Sequence, residues 1–330
     1  MKQIVLASRP KGEPTKDNFR FEDLELPALR EGEVLLQPLF MSVDPYMRGR
    51  MNEGKSYVAP YEVGQPIDGG VIARVVESRS NELAEGDTVL GTLPWAEKSI
   101  EQARKLRKVD PQLAPVSWYL GILGMPGLTA YFGLLDIGQP KEGETVVVSG
   151  AAGAVGTVVG QIARIKGCRV VGIAGTDEKV ELLKKEFGYD EVINYKTVGD
   201  MGQALKTACP DGVDVYFDNV GGDITDAVIA RINFHARIVL CGQIALYNET
   251  RVPVGPRFLP LILTRSALIK GFIVSNYSKR WPEGIQQLAS WIKEGRLHYK
   301  ETKIKGFEKL PEAFLGLFEG KNQGKMLIEV

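Results

Sequence analysis

The segment Gly150-Ala-Ala-Gly153-Ala-Val-Gly156 has the residue types and spacing to hold a phosphate. It follows the short apolar run Thr145–Ser149 and precedes a stretch in which Val155, Val158, Val159, Ile162 and Ile165 recur at three- and four-residue intervals, the period of one helical face. A strand, a glycine turn and a helix start in that order bring free backbone N–H groups and the positive end of a helix dipole to one point. A pyrophosphate suits such a point. Gly153 lets the backbone approach the phosphates, while Gly156 and Gly160 let the helix lie close to the sheet. The competing reading of the same glycines is a tight strand–helix turn that serves packing alone.

The choice between NAD and NADP is made at the tip of the second strand, where an NAD site presents a carboxylate to the ribose 2′-OH. Here the run Arg169–Ala174 ends in Gly175-Thr176 with no carboxylate at its tip. Asp177 is read as the cap of the next helix, with Thr176 as the rival cap. Lys179 falls in the first turn of that helix, where the dipole disfavours a cation and a nearby anion would offset the cost. A 2′-phosphate is the natural anion, and Tyr195, at the end of the third strand, is a further donor to it. The alternative is a solvated Lys179 and a packing Tyr195.

Other chemistries lack their residues. Two histidines, His235 and His298, cannot build a multi-histidine metal site, and both are read as surface or helix-end residues. There is no GxSxG elbow for a serine hydrolase, and Ser149 lies on the strand entering the phosphate loop. Cys168, Cys209 and Cys241 are odd in number and far apart, which excludes a disulfide framework and a CxxC knuckle and fits a reducing compartment. With 41 basic and 41 acidic residues, no overall field draws the chain to nucleic acid or to an anionic membrane. The nearest approach to a membrane span, Phe258–Leu263, is broken by Pro260 and falls far short of the roughly 18–20 residues required. The N-terminus reads as a strand running into a loop, not a signal peptide, and the expected location is cytoplasmic.

The elements that must position the loop divide the 330 residues in two. The first ~125 carry short alternating segments, Glu33–Phe40, Gly70–Val76 and Thr88–Leu93, between Pro, Gly and Asp breaks, the pattern of a β domain. Beyond Gly127, short apolar runs alternate with helical patterns, as in βαβ units around a parallel sheet. The runs are Thr145–Ser149, Arg169–Ala174, Glu191–Tyr195, Asp214–Asp218, Arg237–Gly242 and Leu268–Val274, the number a dinucleotide-binding sheet requires. Val180, Leu183 and Phe187 mark the buried face of the helix from Asp177; Ile285, Leu288 and Ile292 mark another, and Phe314 and Phe318 one more. The final run, Lys325–Val330, needs a sheet for its backbone groups and is expected to return to the first β region.

At this point the sequence resembles the zinc-independent medium-chain dehydrogenases/reductases, in the alkenal/one oxidoreductase and prostaglandin reductase branch that includes curcumin reductase. The resemblance runs along essentially the whole chain. It is carried by Ser42-Val-Asp-Pro-Tyr46-Met-Arg48, Gly124-Met-Pro-Gly-Leu-Thr129-Ala-Tyr131-Phe-Gly133, the loop Ala151–Gly156, Phe217-Asp-Asn219-Val-Gly-Gly222, the segment Cys241–Asn248, and Asn322-Gln-Gly324-Lys325. Where zinc-dependent relatives have Gly-His-Glu, this chain reads Gly64-Gln65-Pro66-Ile67-Asp68-Gly69, without the metal ligand.

The resemblance implies a Rossmann doubly wound sheet over 126–296, flanked by a GroES-like β domain built from 1–125 and 297–330, with NADP(H) in the cleft between them. It implies cofactor contacts from Gly153, Ala154, Val155 and Gly156, from Lys179 and Tyr195, and from Asn219. It adds Cys241, Gly242, Gln243, Ile244, Ala245, Leu246 and Tyr247, then Phe272, Ile273 and Val274, and Asn322. The implied reaction is hydride addition to the β-carbon of an enal or enone, whose negative charge spreads onto the carbonyl oxygen and can be met by a hydrogen-bond donor without a metal. Tyr247 is the candidate donor, directly or by orienting the ribose 2′-OH. Tyr46, Tyr57 and Tyr61 are candidates to line the substrate mouth, with packing inside the β domain as the competing role. A quinone reductase of the same superfamily is the nearest rival function, and an NADPH-binding protein without catalysis the rival of another class. The family also implies a homodimer, with the Leu268–Val274 strand a candidate for the interface.

Overall fold

The computed structural model describes all 330 residues, and they divide into two compact units, 1–120 with 301–321 and 326–330, and 121–300 with 322–325.

In the first unit, β1 (Lys2–Leu6) pairs antiparallel with β2 (Phe19–Asp23). A larger antiparallel sheet is begun by β3 (Glu33–Ser42), β4 (Asp68–Ser78), β5 (Thr88–Pro94), β6 (Ser99–Gln102) and β7 (Arg107–Lys108). The alternation predicted β3, β4 and β5 because period-two burial is what a one-sided sheet needs, and β5 buries Val89, Gly91 and Leu93 while the residues between them face outward. Between β3 and β4 the chain makes the short helix α1 (Tyr46–Arg50) and a long loop back to Asp68.

The second unit opens with α2 (Met125–Phe132) and continues as strands and helices in alternation. These are β8 (Thr145–Ser149), α3 (Gly156–Ile165), β9 (Arg169–Ala174), α4 (Asp177–Lys185), β10 (Glu191–Asn194), α5 (Met201–Ala208), β11 (Val213–Asp218), α6 (Gly222–Ile229) and β12 (Ile232–Leu240). Then come α7 (Leu259–Thr264), β13 (Leu268–Gly271) and α8 (Trp281–Lys293). The six strands form one parallel sheet in the order β10-β9-β8-β11-β12-β13. The order reverses direction between β8 and β11, which opens a crevice at their carboxyl ends, the place where ligands bind in open α/β sheets.

Two expected boundaries move by three residues or more, and one helix was not expected. The fifth strand starts at Ile232, five residues before the expected Arg237, and carries a left-handed residue, His235 at φ 60°, beside a register shift against β11. The sixth stops at Gly271, after which the chain turns helically through Val274–Arg280. Helix α5 had no visible period because only Leu205 and Ala208 of its eight residues are buried.

The chain then returns to the first unit with β14 (Glu301–Lys305), α9 (Leu310–Phe318) and β15 (Lys325–Glu329). β15 pairs antiparallel with β3, Leu327 facing Ser42, as its need for partners predicted. The core of this unit lies under the sheet, where Phe314 of α9 packs edge-on against Phe19 and Trp95.

Candidate active site

The phosphate loop sits at the carboxyl end of β8, inside the second unit. Gly150 adopts φ 58°, which turns the chain out of the strand, and Gly153 donates its N–H back to the Gly150 carbonyl at 3.0 Å. A side chain on Gly156 would run into that same carbonyl and lie 2.7 Å from Ala151 Cα, so only glycine lets α3 start there. The close packing of α3 has a specific partner. The Tyr189 ring occupies the space a side chain would take at Gly160 and at Gly172 of β9, and its hydroxyl donates to the Gly156 carbonyl at 2.7 Å. Gly324 lies across the loop, pairing with Gly153 and donating to the Ala152 carbonyl at 2.8 Å; Asn322 is held beside it by a 2.9 Å bond to the Gly324 carbonyl. Thus 322–325 cluster with the second unit, although 326–330 belong to the first.

At the tip of β9 the cap assignment is corrected. Thr176, not Asp177, is the N-cap of α4: its hydroxyl accepts from the Lys179 N–H, while Asp177 is the first helical residue and its carboxylate accepts from Asn194 Nδ2 at 2.7 Å. Threonine wins because its extended backbone leaves the side chain facing the open N–H groups. Lys179 is half-buried and its ammonium is held below the ordinary lysine range, first by burial and then by the charge of Lys196. Lys196 is a residue the sequence reading did not single out; it lies directly after Tyr195, whose exposed ring covers Gly175. Lys196 adds its charge to that of the partly desolvated Lys179 ammonium, a pairing that a nearby anion such as a 2′-phosphate would relieve.

The loops after β11 and β12 meet at the reversal point. Asn219 donates its N–H to Ser149 Oγ at 2.9 Å and its Nδ2 to the Ser149 carbonyl at 2.8 Å, tying the β11 loop to the end of β8. Cys241 and Gly242 both donate backbone N–H groups to the Asp218 carbonyl. Burial pushes the Cys241 thiol up to about 12, so it is a neutral packing group here. Ile244, Ala245 and Leu246 form a single helical turn that ends at Tyr247. The Tyr247 hydroxyl accepts from the Gln243 N–H at 3.3 Å. Its pKa is raised by burial, which the Gln243 contact partly opposes, so the group carries its proton at neutral pH. Phe272, Ile273 and Val274 follow the end of β13; the Phe272 ring faces Gly133 and the edge of Tyr277, and Ile273 donates to Asn276 Oδ1 at 3.0 Å.

In the first unit, α1 and the loop to Asp68 bring two of the candidate substrate tyrosines, Tyr46 and Tyr61, to one ion pair. Arg50 grips Asp68 through both carboxylate oxygens, donates to the Ala59 carbonyl and stacks over the Tyr61 ring at 3.9 Å. Tyr61 is 3% exposed and its hydroxyl donates to the Asp68 carbonyl, so it packs this cluster, the competing role given above. Tyr57 is 60% exposed and Tyr46 half-buried, with the Tyr46 phenol raised by burial and by Asp44. Asp68, at the position expected of the zinc-type segment, is therefore committed to Arg50. No group of three or more His, Cys, Asp or Glu side chains stands together to hold a metal ion. His235 and His298 are both on the surface.

A parallel six-stranded sheet with a glycine loop at its reversal point, joined to a β unit made from both chain ends, defines a dehydrogenase of the two-unit type. Two family models match: the N-terminal domain of oxidoreductase over residues 2–109, and the zinc-binding dehydrogenase over 154–290. The chain is 60% identical over 330 residues to YfmJ of Bacillus subtilis (strain 168), which is named for NADP-dependent oxidoreduction, covering 99% of this chain and 97% of that one. It is 45% identical to the NADPH-dependent curcumin reductase of Escherichia coli (strain K12), covering 99% and 96%. The crystal structure of CurA from Vibrio vulnificus in complex with NADPH superposes with a TM-score of 0.95 at 43% identity, covering 100% of this chain and 99% of that one. The chain belongs to the medium-chain dehydrogenase/reductase family, in its curcumin and prostaglandin reductase branch.

Proposed function

We propose that this NADP-dependent oxidoreductase reduces the carbon–carbon double bond of α,β-unsaturated aldehydes and ketones, with Tyr247 as the hydrogen-bond donor to the carbonyl oxygen. The observation that carries the reading is the state of the Tyr247 hydroxyl. It sits among the loops at the sheet's reversal point, accepts one bond from the Gln243 N–H and keeps its own proton to give. NADPH, when bound, supplies the hydride. The chain's residues do the rest. Gly153, Ala154, Val155, Gly156 and Asn322 offer backbone and amide groups to the pyrophosphate, Lys179, Lys196 and Tyr195 bind the 2′-phosphate, and Asn219 holds the β11 loop against β8. As the double bond takes up a hydride, charge gathers on the carbonyl oxygen, and a fixed O–H aimed at it stabilises that charge more than the neutral ground state. Tyr46 and Tyr57 are the aromatic residues we assign to the substrate.

The reading is tested by NADPH consumption against a panel of enals, enones and quinones, with parent and Tyr247→Phe. Enals and enones are expected to be the better substrates, and the hydroxyl deletion should lower kcat by about 10²–10³ if Tyr247 is the main donor. Quinones turned over faster than every enone, or a Tyr247→Phe rate within about twofold of the parent in single turnover, would overturn it.

We also propose a homodimer formed through β13. This strand is the last of the sheet, all four of its residues are exposed, and the chain leading to it exposes Val252, Val254, Leu259 and Leu263. An open strand edge beside an apolar face invites the same edge of a second copy.

A further inference from the structure

The side chain of Asp218 is fully buried at the end of β11, among loops that the substrate chemistry depends on, yet no step above uses it. One oxygen accepts from Ser149 Oγ at 3.0 Å, the Tyr216 hydroxyl at 2.9 Å and the backbone N–H groups of Val220 and Gly221, each at 3.0 Å. The other accepts from Thr225 Oγ1 at 2.8 Å and from Gln243 Nε2 at 2.7 Å. A buried carboxylate is costly unless its lone pairs are filled, and here six donors fill them. All but one of these come from β8, β11, α6 and the turn between the last two, and would serve any packing role. The Gln243 carboxamide differs, because it belongs to the Tyr247 segment.

That carboxamide is held at both ends. Its Nε2 also donates to the Gly242 carbonyl at 2.9 Å, and its Oε1 fills the space a side chain would need at Gly221, whose φ is 78°. With the side chain locked, the Gln243 backbone N–H points at the Tyr247 hydroxyl. We infer that Asp218 and Gln243 act as a positioning pair: the buried carboxylate sets the Gln243 carboxamide, which fixes the N–H that occupies one lone pair of Tyr247 Oη and turns the hydroxyl proton toward the substrate oxygen. The inference rests on Tyr247 being the donor. It adds the reason that this hydroxyl has one orientation instead of several, which is the preorganisation such a donor needs.

The test is a set of variants in two backgrounds. Gln243→Leu in the parent should lower kcat for an enone by roughly three- to tenfold, the equivalent of one ordinary hydrogen bond, with KM for the enone little changed. In the Tyr247→Phe background the same change should have no further effect, because residues that act through one hydroxyl are not additive. Gln243→Glu faces one carboxylate with another and should lower kcat further than Gln243→Leu. Adding Asp218→Asn should recover part of that loss, since the exchanged carboxamide then donates to the exchanged carboxylate and Thr225 can turn its hydroxyl to accept, while the Gly242 carbonyl stays without its donor. Parent-like kcat in Gln243→Leu while Tyr247→Phe is impaired, or an equal loss in both backgrounds, would overturn the pair and leave Tyr247 as donor. A folded Asp218→Asn/Gln243→Glu protein, with a melting temperature near the parent's, that recovers no activity would overturn it too. If Tyr247→Phe alone costs nothing in single turnover, the donor assignment itself falls and the pair falls with it.

Discussion

Lys179 shows how much a single side chain can report. In the first turn of α4 it opposes the helix dipole, and burial together with Lys196 holds it below its ordinary value. An anion reverses both penalties. The charge-assisted contact should contribute about 1.5–3 kcal/mol, so Lys179→Ala is expected to weaken NADPH binding by roughly ten- to a hundredfold and leave NADH binding nearly unchanged, as read by fluorescence titration. Lys196→Ala should shift the same preference by less, because that side chain is exposed and screened. The sign of the pH dependence follows from the direction of the shift. The ammonium loses its proton earlier than a free lysine, so the preference for NADPH over NADH should decline on the alkaline side before it would for an ordinary lysine, and Lys179→Arg should abolish that decline. Equal losses for both cofactors in Lys179→Ala would remove the residue from the site.

At the scale of elements, the fit of α3 to β9 is made by Tyr189 bridging Gly160 and Gly172. Tyr189→Phe keeps the ring and gives up the 2.7 Å bond to the Gly156 carbonyl, which should cost about 0.5–1.5 kcal/mol of stability. Tyr189→Ala empties the space between helix and strand and should cost about 3–5 kcal/mol, as for other large aromatics. Thermal melts separate the two. Gly156→Ala drives a methyl into the loop backbone, and its expected signature is lost NADPH affinity with the far-ultraviolet spectrum retained. Parent-like affinity in that variant would mean the loop moves freely and is not a preformed cradle.

At the scale of the whole molecule, β13 is a sheet edge whose four residues are all exposed. Lysines in place of Leu268 and Ile269 put like charges along the edge, a device natural sheets use against pairing, and light scattering should then report a monomer where the parent is a dimer. A parent that is already monomeric at micromolar concentration would sink the proposal. The same holoenzyme should keep its activity after prolonged dialysis against a strong chelator, since the reading gives the carbonyl oxygen a tyrosine and not a metal; loss restored by zinc would refute it.

By itself the sequence determined the βαβ rhythm, the position of the phosphate loop and the return of the last strand, because each depends on local periodicity or on glycine where no other residue fits. Thr145–Ser149 and Arg169–Ala174 are strands to the residue for that reason. The family motifs added the Cys241–Tyr247 segment, whose type and spacing alone carry no period. Tertiary structure alone decided what lies across the chain. It brought Lys196 beside Lys179, laid Gly324 on Gly153, placed Tyr189 under α3, committed Asp68 to Arg50 and gave Asp218 six donors from four separate stretches. The carboxylate that closes the strand Val213–Asp218 was the one visible sign of that last cluster. Its partners are up to 69 residues away, and no window along a sequence records which distant groups a fold will set within 3 Å of one another.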